Sequence, residues 1–206
     1  INSRVDISEE KVYVKEFEDF DLDKIAVRQD IKDHYKLGDG EAFVETPSTN
    51  RENTSGGKSV GAFIPPTEIS TVISNAERAT VKILFTAASV NSVKIKDNFE
   101  FYIDGKRLEE IQDLDIMEGN PGAMEYWQWK DTSLGFVDLE PGAHLFTVKM
   151  VAQTGAINAD CFKFDVRSYG EFTEHVDDVD MPDVNVTASG VKHTLEAEDL
   201  IYTLGA

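Results

Sequence analysis

Cysteine is almost absent: Cys161 is the only one in 206 residues. An internal disulfide, a cysteine zinc site and a small disulfide-stapled fold are therefore excluded. Basic residues are also scarce, at 20 against 39 acidic ones, for a formal net charge of −19. Binding to phosphate needs a basic footprint, so nucleic acid and anionic lipid are not the expected partners, and metal cations are. No apolar run approaches the roughly 18 residues that span a bilayer, so membrane insertion is not expected. No signal peptide is visible, and the chain opens at Ile1 without Met, as a piece of a longer protein would. The histidines, His34, His144, His175 and His193, are scattered, and none is spaced with an acid and a nucleophile as a triad requires.

What is present is alternation. With 41% apolar residues there is enough for a real core. Val81, Ile83 and Phe85 alternate with Thr80, Lys82 and Leu84, and the same period of two runs through Phe99, Phe101 and Ile103 and through Phe146, Val148 and Met150. Turn chemistry separates these segments: Asp104-Gly105 suits a tight hairpin, Pro141-Gly142 a type II turn, and the stretch from Ser55 supplies glycines for positive φ. Eight to ten short strands are predicted between residues 12 and 167. Only residues 22–36 look helical, and weakly, because β-branched residues interrupt the spacing. The expected fold is all-β, an antiparallel β-sandwich jelly roll.

Acidic pairs raise a further question. Glu16 and Glu18 stand two apart in what reads as a strand, so both carboxylates are expected on one face, where they repel unless solvated or bridged by a cation. Glu196 and Glu198 repeat the pattern 180 residues later. The predicted organisation is a lead-in over 1–11, a module over 12–170, an acidic linker over 171–190 and the opening of a second, truncated copy over 191–206. An additional strand of the first module is the alternative for that last segment. Cys161 sits among apolar residues and reads as a packed thiol.

Four landmarks occur in order: Glu16 to Asp19 (EFED), residues 54–64 (TSGGKSVGAFI), residues 126–150 (beginning YWQWK) and residues 158–166 (NADCFKFDV). Together, over about residues 12–167, they resemble the carbohydrate-binding modules of families 6 and 35, galactose-binding-like β-sandwiches. That resemblance implies a structural calcium held by Glu16, Glu18 and Asp160 with backbone carbonyls, a choice consistent with the oxygen ligands Ca²⁺ prefers. It also implies a sugar site in loops at one end of the sandwich, where Trp129 and Asn158 match an aromatic platform and an amide hydrogen-bonding group. Tyr126 and Trp127 are neighbouring candidates. Many members carry a tyrosine after the SGG strand, whereas this chain has Ala62 and Phe63, and a phenylalanine there stacks without hydrogen-bonding. The implied function is non-catalytic binding of an oligosaccharide or polysaccharide, in a secreted or cell-surface protein with tandem modules, such as one carrying a glycoside hydrolase. The alternatives are a calcium-stabilised adhesive or spacer module without sugar affinity, and a glycosidase using paired carboxylates, against which no cleft-forming insertion is evident.

Overall fold

A computed structural model describes residues 4–46, 54–117 and 128–170. In chain order the strands are β1 (Arg4–Ile7), β2 (Val12–Glu16), β3 (Asp21–Val27), β4 (Phe43–Glu45), β5 (Ser59–Gly61), β6 (Phe63–Asn75) and β7 (Ala79–Ala88), then β8 (Phe99–Ile103), β9 (Lys106–Arg107), β10 (Lys130–Leu139), β11 (Gly142–Met150) and β12 (Asn158–Tyr169). Helix α1 (Gln29–Tyr35) follows β3, and a single turn, α2 (Ile95–Asn98), precedes β8. One sheet runs β1-β6-β11-β8-β9, with β3 also on β6; the other runs β10-β7-β12-β5-β4, with β2 on β12. The pairings are antiparallel apart from β1, which runs parallel to β6.

The alternation seen in the sequence places one face of each strand in the core. Val81, Ile83 and Phe85 of β7 are fully buried, as are Phe101 and Phe146 of the facing sheet. Phe85 stacks on its strand neighbour Phe162 at 4.5 Å within one sheet, and Phe146 of the other sheet meets Phe162 edge-on at 5.1 Å across the sandwich. The Asp104-Gly105 turn joins β8 to β9 with both residues at positive φ, 50° and 79°.

Three expectations change. The lead-in over 1–11 contributes β1, whose Val5 and Ile7 are buried against the core; four residues are too short for alternation to register. The stretch 22–36 divides into strand and helix: Leu22 to Val27 belong to β3, and only Gln29–Tyr35 turn helical, with no residue of α1 buried. The β-branched spacing that weakened the helical reading belongs to the strand. Glu16 and Glu18 do not share a strand, because β2 ends at Glu16 and the chain turns through a 3₁₀ segment, Phe17–Asp19. Phe17 has 0% exposure and stacks on Phe63 and Phe85, so core packing bends the backbone here.

The compact unit that holds the sandwich spans Ile1–Phe172. The linker and second-copy segments, with Glu196 and Glu198, lie outside the described residues.

Candidate functional site

Strand β12 brings two candidate sites close in sequence and aims them differently. Its register against β7 passes from Ala159 opposite Ala87 to Cys161 opposite Thr86, so Asp160 is an extra residue in a bulge. A bulge re-aims the side chain it inserts. Asp160 is 2% exposed and lies beside the end of β2, where Cys161 pairs with Glu16.

Around Asp160 the three predicted calcium ligands each have a buried oxygen with no hydrogen-bond partner: Oε2 of Glu16, Oε2 of Glu18 and Oδ1 of Asp160. The remaining donors come from the turn Ser55–Gly57. Ser55 donates its hydroxyl to Glu16 Oε1 at 2.6 Å and its backbone N–H to Asp160 Oδ2 at 3.1 Å. Gly56 adopts φ 59°, and a Cβ there would stand 3.0 Å from the Glu16 carboxyl carbon, so the turn lies directly on the carboxylate.

Burial pushes the Asp160 carboxyl up to about 7, helped by the charges of Glu16 and Glu18 and opposed by the Ser55 N–H. Glu18 is also raised, first by burial and then by Glu16 and Asp19, against its own backbone N–H and Lys58. Buried carboxylate oxygens left without partners beside like charges are the donor set a hard cation satisfies. Among the described residues, however, no three His, Cys, Asp or Glu side chains are gathered closely enough to hold a metal ion. The oxygens fit an ion in chemistry and burial, and closing around one requires side-chain movement. Ser55 and Gly56 were visible in the sequence only as part of the SGG landmark. Cys161 is fully buried, and desolvation raises its thiol to about 12, which agrees with a packed thiol.

Asn158, the first residue of β12, is 7% exposed, and its Nδ2 is buried without a partner. It faces Gly61 of β5 so closely that a Cβ on Gly61 would lie 2.6 Å from Asn158 Oδ1 and 3.0 Å from Glu45 Oε2. Asn158 and Glu45 border a cavity of about 170 Å³ whose polar lining also includes Arg28 and Gln153 and whose apolar wall includes Phe43 and Phe63. Phe63 contributes that wall while 2% exposed, with its ring stacked on Phe17 at 5.5 Å. It is a core residue and not an open platform, because β6 points it inward.

Trp129 lies elsewhere. It precedes β10, is half-buried, and lines a separate, more open cavity of about 700 Å³ with Ser55, Thr86, Asp131, Asp160 and Lys163. There Thr86 Oγ1 and Lys163 Nζ both donate to Asp131, at 2.6 and 2.8 Å. The sequence expectation that Trp129 and Asn158 line one site is therefore corrected: β10 and the β5–β12 end of the sheet present them to different cavities. Tyr126 and Trp127 lie outside the described residues. Glu45, Arg28 and Gly61 were missed, since a lone charge on a short strand and a glycine opposite an amide carry no local pattern.

No family model and no curated relative matches this sequence. In strand arrangement the chain is similar to solved carbohydrate-binding modules of families 35 and 6. The family 35 module from Clostridium thermocellum is 14% identical, with 74% of this chain and 96% of that one covered and a TM-score of 0.48. The C-terminal family 6 module of LamC, a marine laminarinase from Zobellia galactanivorans, is 15% identical over 75% of this chain and 98% of that one, with a TM-score of 0.48. The GH26-CBM35 β-(1,4)-mannanase of Podospora anserina is 12% identical with a TM-score of 0.49; the match covers 78% of this chain but 28% of that enzyme. Among the described residues no helix is long and apolar enough to cross a membrane.

Proposed function

We propose that this chain is a non-catalytic carbohydrate-binding module that takes the end unit of a neutral oligosaccharide or polysaccharide in the Asn158 cavity. The observation that carries the reading is the buried Asn158 carboxamide, whose Nδ2 has no partner and whose position depends on the missing Cβ of Gly61. A buried amide donor without a partner costs about 1–3 kcal/mol, a cost a ligand hydroxyl relieves. Hydroxyls need paired donors and acceptors, and Asn158, Glu45, Arg28 and Gln153 supply them beside the apolar face of Phe43 and Phe63. At about 170 Å³ the cavity is smaller than the roughly 300–1,000 Å³ of a drug-sized site, which favours one terminal ring over an internal stretch of polymer.

Glu16, Glu18 and Asp160 are assigned to a structural calcium, with Ser55 holding two of them in place. Hydrolysis is not proposed: Asp131, the other carboxylate beside Asp160 in the Trp129 cavity, is held by Thr86 Oγ1 and Lys163 Nζ. The setting that goes with this function is extracellular, in a larger protein with tandem modules.

A glycan array on the chain, followed by titration of its best hit, tests the reading. Affinity is expected in the micromolar to millimolar range, roughly −4 to −8 kcal/mol. Asn158→Ala is expected to remove binding and Trp129→Ala to leave it. The reverse result moves the sugar to the Trp129 cavity, whose half-buried indole and hydroxyl-bearing rim favour that second reading. No array signal leaves the adhesive or spacer role.

A further inference from the structure

Helix α1 carries one wall of the Asn158 cavity beyond its lining. Arg28, at the start of the helix, and Ile31 line that cavity together with Phe43 of β4. Residues three and four apart on a helix share a face, so Arg28, Ile31 and Tyr35 form one stripe. Tyr35 extends the apolar wall outward: its ring meets that of Phe43 at 4.7 Å, tilted by 42°. Four residues along the axis place it about 6 Å beyond Ile31, a step close to the length of one sugar unit. Phe43 is half-buried, whereas Tyr35 is 53% exposed. Among the described residues Tyr35 and Phe136 are the aromatic side chains more than half exposed, and of the two only Tyr35 touches the lining of this cavity. The exposed ring is nevertheless held in place. His34 packs edge-on against it at 4.6 Å. The helix beneath is tied at both ends, by the Arg28 N–H to the Ala62 carbonyl at 2.9 Å and by the Leu37 N–H to the Lys32 carbonyl at 3.0 Å, while Ile31 and Leu37 pack on the core.

We infer that Tyr35 forms a second subsite, a platform on which the sugar next to the terminal unit stacks, so that the ligand is a chain end of at least two units and not a single sugar. This rests on the glycan reading of the Asn158 cavity given above and names what that site reads beyond its first ring. At about 170 Å³ the cavity holds one unit, and the rest of the chain lies outside it. A pyranose turns a patch of C–H groups to the face of an aromatic ring, and a tyrosine adds a hydroxyl that donates and accepts. Phe63 is taken up by the core and Ala62 has no ring, so within this wall the exposed aromatic surface comes from α1. The platform is pre-ordered by its contacts with Phe43 and His34, which lowers the entropy a ligand must remove on binding.

The test is calorimetric titration of the full chain with two probes prepared from the best hit of the glycan array: the methyl glycoside of its terminal sugar, and its terminal disaccharide. The disaccharide is expected to bind about five- to ten-fold more tightly, the contribution of one stacked ring. Tyr35→Ala is expected to bring the disaccharide down to the affinity of the methyl glycoside. Tyr35→Phe, which keeps the ring, is expected to retain most of the difference, and Tyr35→Trp to retain or widen it. Equal affinity of the two probes for the unmodified chain, or a difference that survives Tyr35→Ala, would overturn the subsite and leave the Asn158 reading standing. Binding of either probe that survives Asn158→Ala, or an array without signal, would overturn that reading and the subsite with it.

Discussion

Gly61 shows what a single missing carbon can do. It is buried on β5, and the Cβ of an alanine there would stand 2.6 Å from Asn158 Oδ1, a separation real side chains do not tolerate. Gly61→Ala is expected to displace Asn158 and Glu45 together, removing glycan binding and costing about 1–3 kcal/mol of stability, as overpacking of a filled interior does. Calorimetric melting and titration with the array hit check both; unchanged affinity would place the sugar away from Asn158. His144 offers a second test at this scale. Its Nδ1 meets Asp104 Oδ2 at 2.7 Å and its Nε2 meets the Glu140 carbonyl at 2.7 Å. Burial lowers the imidazole, but the hydrogen bonds to Asp104 and Glu140 outweigh it, and the net direction is up. Asp104 moves down, chiefly through the bond to His144. A raised histidine contributes stability that is complete below its ordinary value near 6.5 and fades as pH rises through the raised one. The depressed Asp104 contributes above the ordinary carboxylate range and fades as pH falls through its lowered value. The pair is therefore worth most between about pH 4 and 6.5, and at this exposure less than about 1 kcal/mol. His144→Gln is expected to flatten that part of the melting-temperature profile while leaving the value above pH 8 nearly unchanged.

Among the elements, β1 makes the clearest claim on stability. Four residues, Arg4–Ile7, run parallel to β6 in register with Val72 to Asn75 and bury Val5 and Ile7. At roughly 1.5–3 kcal/mol per buried aliphatic side chain, removal of residues 1–8 is expected to cost several kcal/mol and to expose one edge of β6. A guanidinium denaturation midpoint unchanged by that deletion would show β1 to be peripheral. The same elements explain what the sequence could tell. β7, β8 and β11 announced themselves because half-buried strands must alternate, and Asp104-Gly105 because two consecutive positive φ values favour those residues. β1 was too short to show a period. The turn after β2 was hidden because Glu16 and Glu18 keep strand-like spacing while Phe17, fully buried among four aromatic rings, takes the backbone out of the strand. Asp160 was legible as a candidate, but the bulge that aims it depends on register with β7, which is a long-range property. Trp129 and Asn158 were grouped by order along the chain, and only the path of β10 relative to β12 separates them.

At the scale of the whole molecule the governing fact is the charge of −19. Any cation relieves some self-repulsion by screening, so a rise in stability with salt does not by itself identify a calcium site. The two contributions differ in concentration. Screening requires ionic strength near 0.1 M before the Debye length falls to about 10 Å, whereas a specific site saturates near its own Kd. A ligand at a hundred times Kd that binds only the folded state adds about 2.7 kcal/mol, which for a domain of this size is a melting temperature higher by roughly 5–10 °C. In a buffer already at 0.15 M sodium chloride, calcium at 1 mM is therefore expected to raise the melting temperature of the stripped chain by that amount and a chelator to reverse it. Magnesium at the same concentration is expected to do much less, because it gives up its waters reluctantly and demands near-ideal octahedral geometry. Glu18→Gln and Asp160→Asn each remove one of the oxygens left unpartnered in the fold and are expected to abolish the calcium increment while keeping the response to sodium chloride. Equal increments for calcium, magnesium and sodium at matched ionic strength would mean that the three carboxylates respond to the general field, and that the buried oxygens of Glu16, Glu18 and Asp160 are satisfied by water.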